Sequence, residues 1–495
     1  MFETLAILPV AFWVVIALLV GGAVWAVALV REGVGFPILA VLGTAAAWYV
    51  GDALYNDYPN NHARLFTSGV LEAAWWQVAW FLLVFLFLTP VMHRWFNARQ
   101  LNHSSQIVNL LRTGVGQPLF QSQLNQMFWG CVTVWLILVV IALYRLGNQI
   151  PYYFFPFLGY KADPWGRGQI GGGFDSLLSL AAYFQMFVAA IFGVTAALAQ
   201  NSRVRALALA GCVLTWPGYL FDRTRNYMLV VVMPGILAWV FLRLRVGLFQ
   251  KALLLAGCYF LVSTWFAFVI ANRSDVAIAQ AFNGEGVSIK DARDSHHAGL
   301  NMFEELCWAN TFIENGVYKP NWGARYFAEL VNPIPRVLWR GKPMIGLDYA
   351  VARGQQYTEN GTTATISTGM IGQGVVNFGR VLGPAFAAWL MSMWAAVLAG
   401  LDLRGDQLGR IPLFALGIIL TFNLGRDITL ITLYTFAFGS LVVWWVVRSN
   451  RHSGPRGFRR TGPGSPQNQQ KWRVPSEPLH TPPEDLVADG DPLSP

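Results

Sequence analysis

The sequence predicts an all-α polytopic membrane protein, and three observations lead there. Of 495 residues, 55% are hydrophobic and only 12% are charged, whereas a soluble domain carries roughly 25% charged residues. So few charges cannot cover a soluble surface of this size, so much of it must face lipid. The apolar residues also gather into runs near the length that crosses a hydrocarbon core, about 20 residues. Lipid cannot satisfy open backbone groups, so these runs must close their own hydrogen bonds as helices.

Eleven runs qualify: 7–30, 34–50, 69–92, 127–146, 177–198, 204–220, 227–242, 252–271, 381–401, 411–424 and 428–447, of which the second, seventh and tenth are short. The chain therefore divides into eight spans (1–271), a large polar loop (272–380), three more spans (381–447) and a basic, proline-rich tail (448–495). The tail holds nine of the 25 prolines from residue 449 onward and has no apolar periodicity, the composition of a disordered segment. Cys131, Cys212 and Cys258 lie inside spans and Cys307 in the loop, so no disulfide framework is available.

The net charge of +9 does not point to nucleic acid, because Arg448, Arg451, Arg456, Arg459, Arg460, Lys471 and Arg473 cluster just after the last span. That juxtamembrane pattern holds a terminus in the cytoplasm. Eleven spans then put the N-terminus outside. Each inner connection agrees, carrying Arg31, then Arg94, Arg99 and Arg112, then Arg203 and Arg205, then Arg243, Arg245 and Lys251, then Arg404 and Arg410. Met1-Phe2-Glu3 has no basic region, which argues against a cleaved signal peptide.

The large outer loop balances ten Lys/Arg against ten Asp/Glu from 273 to 380, as a folded cap does. Within it, 300–315 places Phe303, Leu306, Asn310 and Ile313 on one helical face, with Gly316 as C-cap. Asn321 can cap a second helix through Leu330 that shows Trp322, Tyr326 and Leu330. These pieces either lie on the membrane surface or only pack the cap. Pro333 and Pro335 then force an extended segment. A smaller outer loop, 147–176, contains PYYFFPFLGY and GRGQIGGGF; it is either an interfacial aromatic belt or a glycine-hinged gate.

Three arginine sites lie on the side that positive-inside disfavours: Arg223 and Arg225, then Arg336 and Arg340 with Lys342, then Arg426. Arginine's planar fork matches phosphate oxygens, so several converging at headgroup level would bind a lipid-linked phosphate or diphosphate. The plainer readings are snorkelling or local pairs, Asp222 with Arg223 and Arg426 with Asp427. Glu72, Gln185 and Asn423 fall in the outer halves of their spans and Arg145 at an outer end. Polar groups at such depth face a cavity or act as interhelical glue. His296 and His297, near Asp291 and Asp294, offer a general base or simply a solvated loop. Their adjacency is poor metal-ligand spacing. No phosphate-binding glycine loop, dinucleotide fingerprint, zinc-protease motif or serine elbow is present.

Four segments together resemble the Wzy-type O-antigen or oligosaccharide repeat-unit polymerases. They are NPIPRVLWRGKP (332–343), GMIGQGVVNFGRVLGP (369–384), DRTRNYML (222–229) and LGRDITL (424–430). The resemblance covers about 221–447; the first 200 residues match only in hydrophobicity. One departure stands out: Gln373 occupies the position where the family's glycine-rich run has glutamate, so no catalytic role is given to it.

The resemblance implies a bacterial inner-membrane glycosyltransferase with a periplasmic N-terminus and a cytoplasmic C-terminus. It would transfer a glycan from undecaprenyl diphosphate onto a second lipid-linked repeat unit, building O-antigen, capsule or exopolysaccharide. Arg336 and Arg426 would stabilise the leaving diphosphate, and His296 or His297 would take the acceptor proton. Arg223, Arg225, Arg340, Lys342, Asn377 and Arg273 would bind substrate. No cofactor or metal is expected, since arginine replaces the cation. A chain-length regulator is an expected partner, with membrane lipids. An O-antigen ligase has the same plan and differs in its acceptor. A lipid-linked sugar transferase would show an acidic pair in its first outer loop, where Asp52 and Asp57 are unconvincing candidates. A transporter would show repeated halves, and none are visible.

Overall fold

A computed structural model describes residues 8–158, 162–165, 175–222, 225–272, 301–335, 337–343, 346–354, 357–358, 361–362, 366–403, 407–427 and 430–453. The architecture is all-α, with a two-residue hairpin (Tyr357–Thr358 against Gly361–Thr362) in the cap. Among the described residues, nine helices are long and apolar enough to cross a membrane. Before the cap these are α1 (Val10–Ala28), α2 (Gly35–Tyr55, with a π turn at Ala46–Val50), α3 (Ser68–Asn97) and α5 (Pro118–Leu146, whose apolar stretch continues to Phe154). Then come α6 (Asp175–Leu198), α8 (Arg225–Ala238, extended by a π turn to Arg243) and α9 (Leu248–Ala271). After the cap come α12 (Gly369–Asp402) and α13 (Ile411–Arg426). A surface helix, α4 (Gln106–Thr113), lies between α3 and α5.

One expected span divides. In 204–220 the helix α7 (Ser202–Thr215) gives way at Trp216 to a separate turn, Pro217–Leu220, because proline has no amide to continue the ladder. The last helix, α14 (Leu430–Ser453), is 24 residues long and apolar over its described stretch Thr432–Arg448.

Two apolar cores organise the bundle. One gathers α1, α2, α3 and α12 with the first cap helix, α10 (Met302–Glu314). The other gathers α5 to α8, α13 and α14. Helix α13 is the most embedded, with 72% of its apolar window buried, and α9 the most peripheral, with 11%. A helix so exposed and so apolar must face lipid.

The cap is pinned to the bundle by polar contacts. Asp52, at the end of α2, accepts hydrogen bonds from the amides of Phe303 (2.8 Å) and Glu304 (3.0 Å), capping α10. Gln77 on α3 and Asn310 on α10 exchange two bonds of 2.8 Å. Phe303, Leu306 and Asn310 are buried as their spacing predicts, and Gly316 takes the positive φ of a C-cap. The second cap helix differs from expectation. Helix α11 (Ala324–Val331) starts behind Gly323, which has φ +92°, and the Asn321 side chain turns instead to Tyr318 and Asp348.

The glycine-rich run forms a helical hairpin. Helix α12 breaks at Gly379 (φ 81°), one residue before the predicted end of the loop. Residues nine apart in a straight helix lie about 13 Å from each other. Here the backbones of Gly374 and Gly383 touch, and a Cβ on either would strike the other. The first arm, from Gly369 to Asn377, is buried throughout. Its ends are satisfied by other elements, as a buried helix requires. The Ile371 amide donates to the Tyr49 hydroxyl (2.9 Å). The carbonyls of Val376 and Asn377 accept from the amides of Asn321 (3.2 Å) and Trp322 (2.8 Å).

Candidate functional site

The residues most unlike their surroundings meet where the cap rests on the bundle. Arg325, on the first turn of α11, places its Nη2 2.8 Å from Asp427 Oδ2 and 2.9 Å from the Ile366 carbonyl oxygen. The side chains are 3% and 6% exposed. The Arg325 amide donates to Asn377 Oδ1 (3.2 Å), and Asn377 Nδ2 donates to the Gln373 carbonyl (2.7 Å). Gly346, with φ +62°, lets the backbone approach the guanidinium, and the Tyr349 ring lies 5.9 Å from it. Two of the buried guanidinium nitrogens, Nε and Nη1, make no direct hydrogen bond.

Glu329 stands one turn further along α11 and is also buried. Its carboxyl is pushed up to about 8, first by burial and then by Asp427, against the pull of Arg325. Burial is the main cause, and beside it one guanidinium neutralises only one carboxylate, so the second keeps its proton. A second buried carboxylate, Glu305, takes both arms of Arg353 (3.0 and 3.3 Å) and the Tyr349 hydroxyl (2.9 Å). That group braces the wall behind Arg325.

Beside this cluster lies an apolar groove of about 330 Å³ between α2, α8, α9 and α13. Leu229, Met233, Cys258, Val262 and Phe422 line it, with Asn226 and Ser263 among its few polar groups. Because α9 is peripheral, the groove borders the lipid. Trp48 Nε1 donates to the Phe422 carbonyl (2.8 Å) and ties α2 to α13 at its wall. The next residue, Asn423, is 1% exposed, and its amide makes no direct hydrogen bond.

Two of the four segments meet at Arg325, LGRD through Asp427 and NFG through Asn377, and DRTRN reaches the groove through Asn226. NPIPRVLWRGKP continues directly from α11. Arg426 ends α13 half-buried beside Asp427, and Arg225 opens α8. Lys342 is buried and donates to the carbonyls of Asn332 (2.6 Å) and Ile334 (2.8 Å), so it closes its own loop. Arg340 is exposed. Arg223, Arg273, Arg336, His296 and His297 lie outside the described residues. Gln185 lines a cavity, as expected of a polar residue in a span, whereas Glu72 and Arg145 are exposed.

Arg325 and Glu329 belong to none of the sequence motifs, and Asp427 enters them only as a local partner for Arg426. The i, i+4 spacing of Arg325 and Glu329 was the available clue.

No family model, no curated protein and no solved structure matches this chain. The functional reading therefore rests on the site itself and on the resemblance of its motifs.

Proposed function

We propose that this protein is a membrane glycosyltransferase that polymerises lipid-linked oligosaccharide repeat units. The observation that carries the reading is a buried Arg325–Asp427 pair at the end of α13, together with a lipid-bordering apolar groove along the same helix. A polyprenyl diphosphate has the matching shape. Its isoprenoid tail enters the groove between α8, α9 and α13. Its diphosphate lies at the mouth, where Arg426 ends α13; Arg225 and Arg336 are further guanidinium groups that the resemblance assigns to it. The resemblance names the carrier as undecaprenyl diphosphate and the compartment as the periplasmic face of a bacterial inner membrane.

In the reaction, the bond between the donor's anomeric carbon and the diphosphate oxygen breaks. A bond forms from that carbon to an acceptor hydroxyl oxygen, and the hydroxyl proton passes to a base. Charge accumulates on the departing diphosphate, where fixed guanidinium groups lower the barrier most. Glu329, ionised, is the base we assign alongside His296 and His297. Asn377 and the Arg325–Asp427 pair hold the cap in register over the groove.

The test is reconstitution. Detergent-purified protein is given an undecaprenyl-diphosphate-linked repeat unit from the cell's own glycan, and products are resolved on a gel. A ladder of multiples in wild type, lost in Arg336→Ala and Arg426→Ala, supports the polymerase. Transfer only when lipid A is supplied makes the protein a ligase. No transfer by folded protein in either format refutes the enzymatic reading and favours transport.

A further inference from the structure

A second cavity, of about 310 Å³, opens among the end of α5, the segment 162–165, α6, the turn after α7 and the start of α8. Its walls carry Tyr153, Trp165, Tyr183, Gln185, Tyr219 and Tyr227, with the exposed Asp163 at its edge. Trp165, Gln185, Tyr153 and Tyr219 are 5–8% exposed. Trp165 Nε1 donates to Gln185 Oε1, and the Trp165 amide donates to Asp163 Oδ1 (3.0 Å). The Tyr153 hydroxyl sits beside Gln185 and Trp165 and makes no direct hydrogen bond among the described residues.

The chemistry of this lining is selective. Among the described residues, no lysine or arginine lines it. The aromatic faces alternate with hydroxyl and amide groups, unlike the apolar groove. A pyranose has the complementary surface, an apolar C–H face ringed by hydroxyls. Tyrosine and tryptophan offer an apolar body with a polar tip, and the glutamine amide both donates and accepts. The volume lies at the low end for small-ligand pockets, roughly 300–1,000 Å³, enough for a terminal sugar.

Position decides which sugar. Tyr227 lines this cavity, and its neighbour Asn226 lines the apolar groove, so the first turn of α8 separates the two. On the other side, Tyr183 stacks on Tyr434 (ring centroids 6.1 Å apart, 30° between planes). The Tyr434 hydroxyl donates to the Leu330 carbonyl of α11 (3.3 Å), the residue after Glu329. The cavity therefore adjoins both the lipid groove and the base assigned above. We infer that it is a saccharide subsite that seats the terminal sugar of the acceptor glycan. The inference rests on the polymerase reading for the word acceptor, and on the cavity alone for the word saccharide.

The experiment titrates the full chain in detergent with lipid-free oligosaccharide, released by mild acid from the cell's own lipid-linked glycan. Binding is read by saturation-transfer NMR, and polymer formation is followed in parallel. Wild type is expected to bind. Tyr153→Phe, which removes one hydroxyl, and Trp165→Phe, which keeps a ring but loses the bond to Gln185, are each expected to weaken binding about tenfold. Arg426→Ala, which is not part of the cavity lining, is expected to bind as wild type while forming no polymer. Gel-filtration profiles identical to wild type establish that the variants are folded. Equal binding by wild type and both cavity variants, or no binding by wild type, overturns the subsite. Binding by wild type and Arg426→Ala with no polymer from either keeps the subsite and removes the polymerase. Polymer formation with unchanged acceptor KM in both cavity variants does the reverse.

Discussion

Arg325 and Asp427 are 102 residues apart and end in one buried ion pair. Removing one partner strands a charge, which costs about 3–5 kcal/mol when the pair is buried. Asp427→Ala is therefore expected to lower the detergent melting temperature sharply, while the double variant Arg325→Met/Asp427→Leu recovers most of the loss. A melt of Asp427→Ala that matches wild type would show that the pair does not hold the cap. Glu329 gives a pH prediction. Its carboxyl titrates at about 8 in the fold against an ordinary 4.5. The folded state thus holds a proton that the unfolded state has lost, so stability is full below about 4.5 and declines as pH rises towards 8. The slope is at most about 1.4 kcal/mol per pH unit. Thermal unfolding between pH 5 and 9 should show this decline in wild type and a flattened profile in Glu329→Gln. Turnover, which needs the ionised base, should rise over the same window. In Glu329→Gln it should fall by about 10²–10⁴.

Among the elements, α11 was the hardest to read. Its spacing gives a face of Trp322, Tyr326 and Leu330 that lies on the membrane surface or packs the cap; Trp322 and Leu330 are exposed and Tyr326 half-buried, while Arg325, Ala328 and Glu329 are buried. A rule that puts apolar residues inside presumes water outside. Beside a bilayer an apolar outer face is satisfied, and polar residues can turn in towards a site. The hairpin in α12 was half legible: the predicted loop end at 380 anticipates the Gly379 break, but nothing local announces that Gly374 and Gly383 touch. That contact is testable. Gly383→Val must push the arms apart, and overpacking of this kind costs about 1–3 kcal/mol. Gly257→Val, at a position with open space around it, should leave the melt unchanged. Equal melts for the two variants would argue against the hairpin.

For the whole molecule, the membrane class was plain in composition, because 12% charge leaves no alternative solvent. The span count was less so, since 204–220 divides at Trp216. Long-range partners such as Arg325 with Asp427 and Gln77 with Asn310 leave no local trace, so the site was visible as motifs and not as an arrangement. The proposed orientation puts the cap and the Arg448 end of α14 on opposite faces. In a cysteine-free background, a membrane-impermeant maleimide applied to intact cells whose outer membrane has been made permeable should label Lys319→Cys in the cap. It should spare Arg448→Cys; labelling in the opposite pattern would invert the topology.

The central claim is that a polyprenyl diphosphate docks with its tail between α8, α9 and α13 and its head beside Asp427. The most direct measurement is photo-crosslinking with an undecaprenyl diphosphate carrying a diazirine in its isoprenoid chain, followed by peptide mapping. Adducts on Leu229, Met233, Cys258 or Val262, competed away by unlabelled undecaprenyl diphosphate and weakened in Arg426→Ala, are the predicted result. Adducts confined to other helix faces, or insensitive to competitor, would contradict it.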